Sequence, residues 1–195
     1  RDPPCRPPRL LGNHAHPAAL THRSQAHRPA VSDPPTPVPA AGDDHRDCVN
    51  SALLEAERHC ARRGLRLTPI RRRVLELIWR SHRPSGAYEL LEQLAAEGHR
   101  PSPPTVYRAL EFLLQHTLIH RVNSLNAFVG CSSPGDEHMA QLFLCDRCGV
   151  AIEQADPSLN RQILDKARDM QFVLHSQTVE LTGLCPQCQA ASDDD

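Results

Sequence analysis

Several features that mark other protein classes are scarce in this sequence of 195 residues. No apolar run approaches the ~20 residues that a membrane-spanning helix needs, so no membrane partner is expected. No basic segment followed by an apolar one opens the sequence, so it does not predict secretion. Lysine occurs once, at Lys166, and arginine supplies the other positive charges. Hydrophobic residues at 39% and charged residues at 23% are nevertheless typical of a globular protein.

The net charge of −1 conceals an uneven distribution of charge along the chain. Eleven arginines and five glutamates lie between Arg62 and Arg121, whereas four basic and eleven acidic residues lie between Cys131 and Asp195. A basic half beside an acidic half predicts that the first half contacts a polyanion and that the second does not.

Cysteine is plentiful, and four of the eight cysteines form two Cys-x-x-Cys pairs, Cys145 with Cys148 and Cys185 with Cys188. Without an export signal, a metal site explains these pairs better than disulfides do, and reduced thiolates fit the cytoplasm. The two-residue spacing lets both sulfurs of a pair turn towards one ion, and two pairs complete a tetrahedron. Zinc is favoured, while a rubredoxin-like iron centre, a redox dithiol and four unliganded cysteines are the alternatives.

The two ends of the chain have biased compositions. Residues 1–44 contain ten prolines and few large apolar side chains, which predicts a disordered tail. A metal-collecting role is the alternative for this tail, because it holds His14, His16, His22 and His27. Residues 191–195 are predicted to form a short acidic tail.

Residues 45–131 carry the pattern of a winged helix-turn-helix domain. Apolar periodicity and capping residues predict four helices, from Asp47 to Arg63, from Thr68 onwards, from a Ser85 cap to Gly98, and from Ser102 to about His116. Two β-like runs, Leu118 to Val122 and Ala127 to Cys131, then flank Asn123–Asn126 and predict a hairpin. Short helices followed by a hairpin are typical of this DNA-binding architecture.

The rest of the chain predicts a small α/β domain over residues 138–190, joined to the first domain by a hinge at 132–137. Its predicted elements are strands Gln141–Leu144 and Val150–Gln154, helix Pro157–Met170, and strand Phe172–Leu184. A unit of this size has a limited core, so a metal or a partner chain would have to supplement it. The predicted fold class of the whole chain is therefore α+β.

Three motifs in the same order resemble the ferric uptake regulator family. They are Arg66-Leu-Thr-Pro-x-x-Arg72, Pro103-Pro-Thr-Val-Tyr-Arg-Ala-Leu110 and Cys145-Asp-Arg-Cys-Gly149. The second motif and the wing after it look most like the zinc uptake regulator branch, and the resemblance spans about Asp47 to Cys188. It implies a cytoplasmic, homodimeric repressor of zinc homeostasis that binds palindromic double-stranded operator DNA. It also implies that the chain is not an enzyme and has no small organic substrate.

The resemblance further implies a sensory metal site, because the family uses a histidine, a cysteine, a histidine and a glutamate that match His120, Cys131, His138 and Glu153. If the hairpin loop is Leu125-Asn126, His120 and Cys131 lie opposite each other. One thiolate, two imidazoles and one carboxylate suit zinc, so two Zn(II) per chain are expected. Taken singly, His120 has a solvated wing position as its alternative, Cys131 a small buried hydrophobe, and Glu153 a surface charge.

Two departures from the family pattern bear on this expectation. Iron-sensing relatives carry a histidine-rich stretch before the first Cys-x-x-Cys, whereas this sequence offers His138 alone, so a further site there is not expected. An iron or manganese sensor remains the alternative within the family. Zinc regulators can also pair an acidic and a basic residue between neighbouring dimers on DNA. Glu92 matches the acidic member, but Ala95 replaces the basic one.

The fourth helix is the predicted reading helix for DNA, because the N-terminal end of such a helix reaches base edges. Its exposed residues there are Thr105, Tyr107 and Arg108. The resemblance implies that Tyr88 and Arg108 are principal contacts and that Arg66 enters the minor groove, while Arg72 is predicted to meet phosphate. The alternatives are a core position for Tyr88 and, for the arginine-rich helices, the protein-binding face of a zinc adaptor that does not bind DNA.

Overall fold

The computed structural model describes residues 46–99, 101–135 and 138–191. The predicted proline-rich tail at 1–44 with its histidines, two residues of the predicted hinge, and residues 192–195 of the predicted acidic tail lie outside these ranges. None of the helices in the described ranges is both long enough and apolar enough to cross a membrane.

The first part of the described chain is a helical bundle with a small antiparallel sheet. Its helices are α1 (Arg46–Arg62), α2 (Pro69–Trp79), α3 (Ala87–Ala96) and α4 (Pro103–Gln115). Its strands are β1 (Ser85–Gly86), β2 (Ile119–Val122) and β3 (Ala127–Gly130), in the order β1-β3-β2. We call β2, β3 and their connecting loop the wing.

Local sequence explains where two of these helices begin. Thr68 and Ser102 occupy the N-cap positions of α2 and α4, and each is followed by a proline at the first helical position, as predicted. Proline suits that position because its missing N–H would have no partner within the helix. The apolar faces of the helices then pack into one core, whose most buried members include Val74, Leu90, Leu94 and Leu113.

The prediction that Ser85 caps the third helix is wrong. Ser85 pairs with Phe128 in the sheet and is only 3% exposed, while Gly86 is the N-cap residue of α3. The N–H of Gly86 donates to the Glu89 carboxylate at 3.4 Å, so a side chain one turn ahead satisfies this end of the helix. A serine that follows a helix is ambiguous in sequence, because it suits a strand edge as well as a cap.

The predicted register of the wing is also wrong, by two residues. His120 lies opposite Val129 rather than Cys131, because the loop is the four-residue Asn123–Asn126 rather than Leu125-Asn126 alone. Asn126 adopts a φ of 48°, a left-handed conformation that asparagine tolerates well. Since side chains alternate with a period of two, the shift leaves His120 and Cys131 on the same face of the hairpin.

The second part of the chain is a three-stranded sheet with two helices. It contains β4 (Gln141–Cys145), β5 (Ala151–Gln154), α5 (Pro157–Asp169), β6 (Val179–Gly183) and α6 (Pro186–Ala190). The strand order is β5-β4-β6, with β5 antiparallel and β6 parallel to β4. Asp156 caps α5 by accepting the N–H groups of Ser158 and Leu159 at 2.7 and 3.3 Å.

The predicted strand Phe172–Leu184 is too long. Only Val179–Gly183 is extended, because its partner strand β4 begins at Gln141, which pairs with Val179. Residues before Val179 have no neighbouring β4 residue with which to form a ladder. Phe172 and Val173 instead stand 62% and 72% exposed, although their sequence is strongly β-like. The short helix α6 was not predicted.

Candidate metal centres

Two loops of the second part bring the paired cysteines to one point. Cys145 ends β4 and Cys148 lies in the turn after it, where Gly149 has a φ of 72°. Cys185 is the N-cap residue of α6 and Cys188 lies within that helix. One ligand atom from each of the four lies within 4.8 Å of the others, and Sγ of Cys148 is 3.7 Å from Sγ of Cys185.

Hydrogen bonding and burial act in opposite directions on two of the thiols, Cys145 and Cys188. The backbone N–H groups of Cys148 and Cys185 lower the pKa of Cys145 to about 6, whereas burial raises the pKa of Cys188 to about 12. The N–H of Cys185 lies 3.4 Å from Sγ of Cys145. The Cys145 side chain is therefore largely a thiolate near neutral pH, which is the form that binds metal.

The sulfur geometry fits a tetrahedral metal centre. A zinc–sulfur bond of about 2.3 Å places two sulfurs of a regular tetrahedron about 3.8 Å apart. The observed 3.7 Å between Cys148 and Cys185 matches that edge. Four soft sulfur donors suit zinc or an iron centre rather than magnesium, calcium or manganese.

A second cluster lies where the wing meets the second sheet. His120 comes from β2, Cys131 follows β3, His138 precedes β4 and Glu153 lies in β5. Oε1 of Glu153 lies 2.8 Å from Nε2 of His120 and 2.7 Å from Nε2 of His138. Sγ of Cys131 lies 3.6 Å from Nε2 of His138 and 3.9 Å from Oε1 of Glu153. The structure thus brings together all four residues of the predicted sensory site.

Charge and burial in this cluster favour a bound cation. Burial raises the pKa of Glu153, but hydrogen bonds from His120, the N–H of Ser132 and His138 outweigh it and lower the pKa to about 2. The carboxylate is therefore ionised, and Cys131 beside it is only 3% exposed. In a tetrahedral zinc site the nitrogen–sulfur edge is about 3.6 Å, as observed between His138 and Cys131. The two imidazole–carboxylate distances are ordinary hydrogen-bond lengths, shorter than such an edge.

The predicted DNA-contacting residues are mostly on the surface. Tyr88 is 72% exposed and Tyr107 49% exposed, so the alternative that Tyr88 is a core aromatic is wrong. Arg108 on α4 is exposed as well, and so is Arg66 before α2. Thr105 is half-buried, with its hydroxyl 3.0 Å from that of Ser102.

Sequence reasoning did not single out Arg121 on the wing. Arg121 is exposed and its Nη2 donates to Oδ1 of Asn126 at 2.8 Å. Both residues line a groove of about 570 Å³, together with Tyr88 and Tyr107. A single basic residue within a hairpin strand gives no spacing signal, which explains the omission.

The arginine run in α2 is less available to a phosphate than its sequence indicates. Arg72 donates to Glu57 at 2.8 Å, and Arg73 forms ion pairs with Glu76 and Glu97. The guanidinium of Arg71 lies 3.7 Å from the ring centroid of Phe112. A phosphate approaching Arg72 would therefore compete with a carboxylate.

Comparisons with known proteins identify the family to which this chain belongs. Residues 62–182 match the sequence pattern of the ferric uptake regulator family. The zinc uptake regulation protein of Escherichia coli (strain K12) is 39% identical over 137 residues, which cover 70% of this chain and 80% of that protein.

Solved structures of zinc uptake regulators share the fold. A zinc uptake regulator complexed with zinc and DNA superposes with a TM-score of 0.70 at 36% identity, covering 74% of this chain and 97% of that chain. The structure of holo XcZur superposes with a TM-score of 0.68 at 43% identity, covering 72% and 99%. The chain therefore belongs to the ferric uptake regulator family, in the branch of the zinc uptake regulators.

Proposed function

We propose that this chain is a zinc-responsive transcriptional repressor that binds operator DNA as a homodimer. The observation that carries the proposal is the convergence of His120, Cys131, His138 and Glu153 from the wing, the two segments that flank the hinge, and the second sheet. These residues come from four different segments of the chain, and an ion bound by all four would tie the DNA-binding half to the second half. The similarity to a zinc uptake regulator complexed with zinc and DNA supports both ligands.

Zinc at this sensory site would supply a redox-inert tetrahedral cross-link. His120 holds the wing side of it, and Glu153 holds the side of the second sheet. Because α4 is packed into the same core as the wing strands, fixing the wing also fixes the reading helix. A dimer has two such helices, whose separation must match two half-sites on one face of the duplex. Zinc thereby selects the arrangement that fits DNA, and DNA tightens zinc binding in return.

The four-cysteine site has a structural role in this proposal. It joins the end of β4 to α6 across 36 intervening residues, which include α5 and β6. All four sulfurs face one point, whereas a redox dithiol needs one pair only. A cysteine sulfur among the candidate ligands, Cys131, favours zinc over iron or manganese at the sensory site as well.

The surface of the second part indicates how the chain dimerises. Helix α5 has no buried residue, although its sequence is amphipathic. The second part exposes a set of large apolar side chains, namely Phe143, Leu164, Met170, Phe172, Val173, Leu181 and Leu184. A monomeric domain of this size rarely leaves so many large apolar side chains exposed, because exposed apolar surface is unfavourable in water. We propose that a second copy of the chain covers them.

The DNA contacts follow from the exposed end of α4. Arg108 is exposed and suits bidentate bonding to guanine, and the exposed Tyr107 and Tyr88 line one groove. The proposed domain division is 45–131 for DNA binding, 132–137 for the hinge and 138–190 for dimerisation. Repression of this kind takes place on chromosomal DNA, and so in the bacterial cytoplasm. Genes for zinc uptake are the proposed targets.

The test begins with duplex sequences selected from a random library by the zinc-loaded protein. Binding to the selected palindrome is then measured by gel shift with chelator, Zn(II), Mn(II) or anaerobic Fe(II), at several salt concentrations. The proposal predicts tight, salt-dependent binding with zinc and weak binding with chelator. Equal binding in zinc and chelator would overturn the zinc response, and the absence of any selected sequence would favour a zinc adaptor. Stronger activation by iron or manganese would reassign the sensed metal.

A further inference from the structure

We propose that Glu180 is a positioning residue that latches the tip of the wing to the second sheet and favours the DNA-competent arrangement independently of zinc. This inference rests on the proposed function. The latch lies on β6, whereas the sensory residues lie on β2, β5 and the segments that flank the hinge. The wing and the second sheet are therefore joined at this point without a metal ligand.

The latch consists of hydrogen bonds between parts of the chain that are distant in sequence. The backbone N–H of Asn123 donates to Oε1 of Glu180 at 2.6 Å, and the N–H of Ser124 donates to Oε2 at 3.1 Å. The side-chain amide of Asn123 also donates to Oγ1 of Thr178 at 3.3 Å. One carboxylate thus satisfies two successive N–H groups at the tip of the wing.

An apolar cluster next to these hydrogen bonds also joins the wing to the second sheet. Val122 and Val129 of the wing pack with Leu142 and Leu144 of β4, and Val122 and Leu142 are 0% and 1% exposed. Glu180 is the register partner of Leu142, so both side chains leave the sheet on the side of the wing. The wing therefore packs against the second sheet as well as against its own domain.

The charge of Glu180 suits the role. Burial raises the pKa of its carboxyl, but hydrogen bonds from Ser124 and from the N–H of Asn123 lower it below its ordinary value. The group is therefore ionised at neutral pH. Successive backbone N–H groups in a tight loop form a concavity that favours an anion. Hydrogen bonds to an ionised acceptor are about twice as strong as neutral ones.

A contact that needs no metal ligand changes the zinc requirement rather than the DNA affinity at saturating zinc. If the wing is docked on the second sheet only part of the time, the apparent affinity for zinc is the intrinsic affinity multiplied by the fraction of docked molecules. Removing the latch lowers that fraction, so more zinc is needed to assemble the DNA-binding form. Saturating zinc restores docking, because the sensory ligands are intact.

The experiment compares Glu180→Gln and Glu180→Ala with wild-type dimer on the selected operator. The zinc concentration at half-maximal DNA binding should rise about tenfold in both, the size expected for the loss of hydrogen bonds to a charged group. The DNA affinity at saturating zinc should stay within about twofold of wild type. Asp165→Asn is the control, because Asp165 is an exposed acid of the same domain that pairs with Arg168.

A second readout needs neither DNA nor added zinc. Amide hydrogen exchange at Asn123 and Ser124 should accelerate in Glu180→Ala, while the amides of α2 and α4 keep wild-type protection. Unchanged amide exchange together with an unchanged zinc midpoint in Glu180→Ala would overturn the latch. So would a loss of DNA binding at saturating zinc in a variant that is monomeric or unstable. If wild-type protein shows no zinc-dependent DNA binding, the proposed function fails, and the exchange measurement still decides whether Glu180 holds the wing.

Discussion

The backbone N–H of Ser132 donates to Oε2 of Glu153 at 2.7 Å, which ties the start of the hinge to strand β5. The other oxygen of the same carboxylate lies between the imidazoles of His120 and His138. Glu153 therefore acts on the hinge and on the sensory site at once.

Replacing Glu153 with glutamine should uncouple DNA binding from zinc. The amide keeps the size of the side chain but removes the negative ligand. Zinc affinity at the sensory site should fall by more than about 100-fold, because even outer-shell partners contribute 10- to 100-fold. Zinc content at the four-cysteine site should not change. Competition with a chromogenic chelator measures both sites. A Glu153→Gln protein with the wild-type zinc midpoint for DNA binding would show that the carboxylate is not a ligand.

A buried histidine predicts a pH dependence of stability. His59 in α1 is 2% exposed, and within the described chain its Nε2 has no hydrogen-bond partner. Burial lowers its pKa below 6.5, the nearby charges of Arg63, Arg62 and His116 lower it further, and Glu55 opposes them. The folded protein therefore favours the neutral ring, whereas the unfolded chain takes up a proton near pH 6.5. The stability that the protein has while His59 is neutral in both states is present above pH 6.5 and is lost as the pH falls below it.

His59→Leu should remove that dependence. The free energy of unfolding of wild type should decrease relative to the variant between pH 7.5 and pH 5.5, about one unit either side of the ordinary histidine pKa. Urea unfolding at equal zinc loading measures the difference, and the comparison cancels changes in zinc affinity that both proteins share. A difference that does not vary with pH would mean that His59 is protonated to the same extent in both states.

Arg108 and Arg72 should differ in what they contribute to DNA binding. Arg108→Ala should remove a base contact in each protomer and lower operator affinity by about 1–3 kcal/mol per site, with metal content and dimerisation unchanged. Arg72→Ala should weaken all sequences alike and reduce the salt slope by about one per chain, provided that Arg72 leaves Glu57 to meet phosphate. DNA-binding titrations of each variant on operator duplex and on random duplex distinguish the contribution of Arg108 from that of Arg72. Operator binding by Arg108→Ala at wild-type affinity would assign base reading to another element.

Local signals predicted the winged helix well. The caps at Thr68 and Ser102 and the apolar spacing in α4 are properties of a few adjacent residues. The wing register was missed because it depends on Asn126 adopting a left-handed conformation, which several turn types of different length would allow. The composition of Phe172 and Val173 likewise predicts a strand, but no ladder partner lies beside them.

The site residues also divide into those that have a local sequence signal and those that have none. The spacing within each Cys-x-x-Cys pair predicts the four-cysteine site, and the resemblance to a family implies the sensory residues. The contact between Glu180 and the wing left no trace in the sequence, because Glu180 is 56 residues from Ser124 and carries no motif. Contacts of this kind follow from how two units dock, which single-sequence periodicity does not encode.

The two metal sites should fail in different ways when one ligand is lost. Zinc in small structural sites contributes roughly 10 kcal/mol or more, comparable to the whole stability of a domain. Cys185→Ser should therefore give a monomeric or aggregated protein, because the cysteines hold together the part that carries the exposed apolar surface. Cys131→Ser removes a ligand from a site between parts that already fold, so it should remain a folded dimer of near-wild-type thermal stability.

Zinc titrations of operator binding separate these outcomes further. Cys131→Ser should gain no DNA affinity when zinc is added, although circular dichroism and sedimentation show an intact dimer. Wild-type protein purified without chelator should hold two zinc per chain, and mild chelation should remove the zinc bound by Cys131 first, because the four thiolates form the more enclosed site. If both variants unfolded alike, both sites would be structural. Zinc-dependent DNA binding by Cys131→Ser would place the sensor elsewhere, and the histidines of residues 1–44 would be the next ligands to replace.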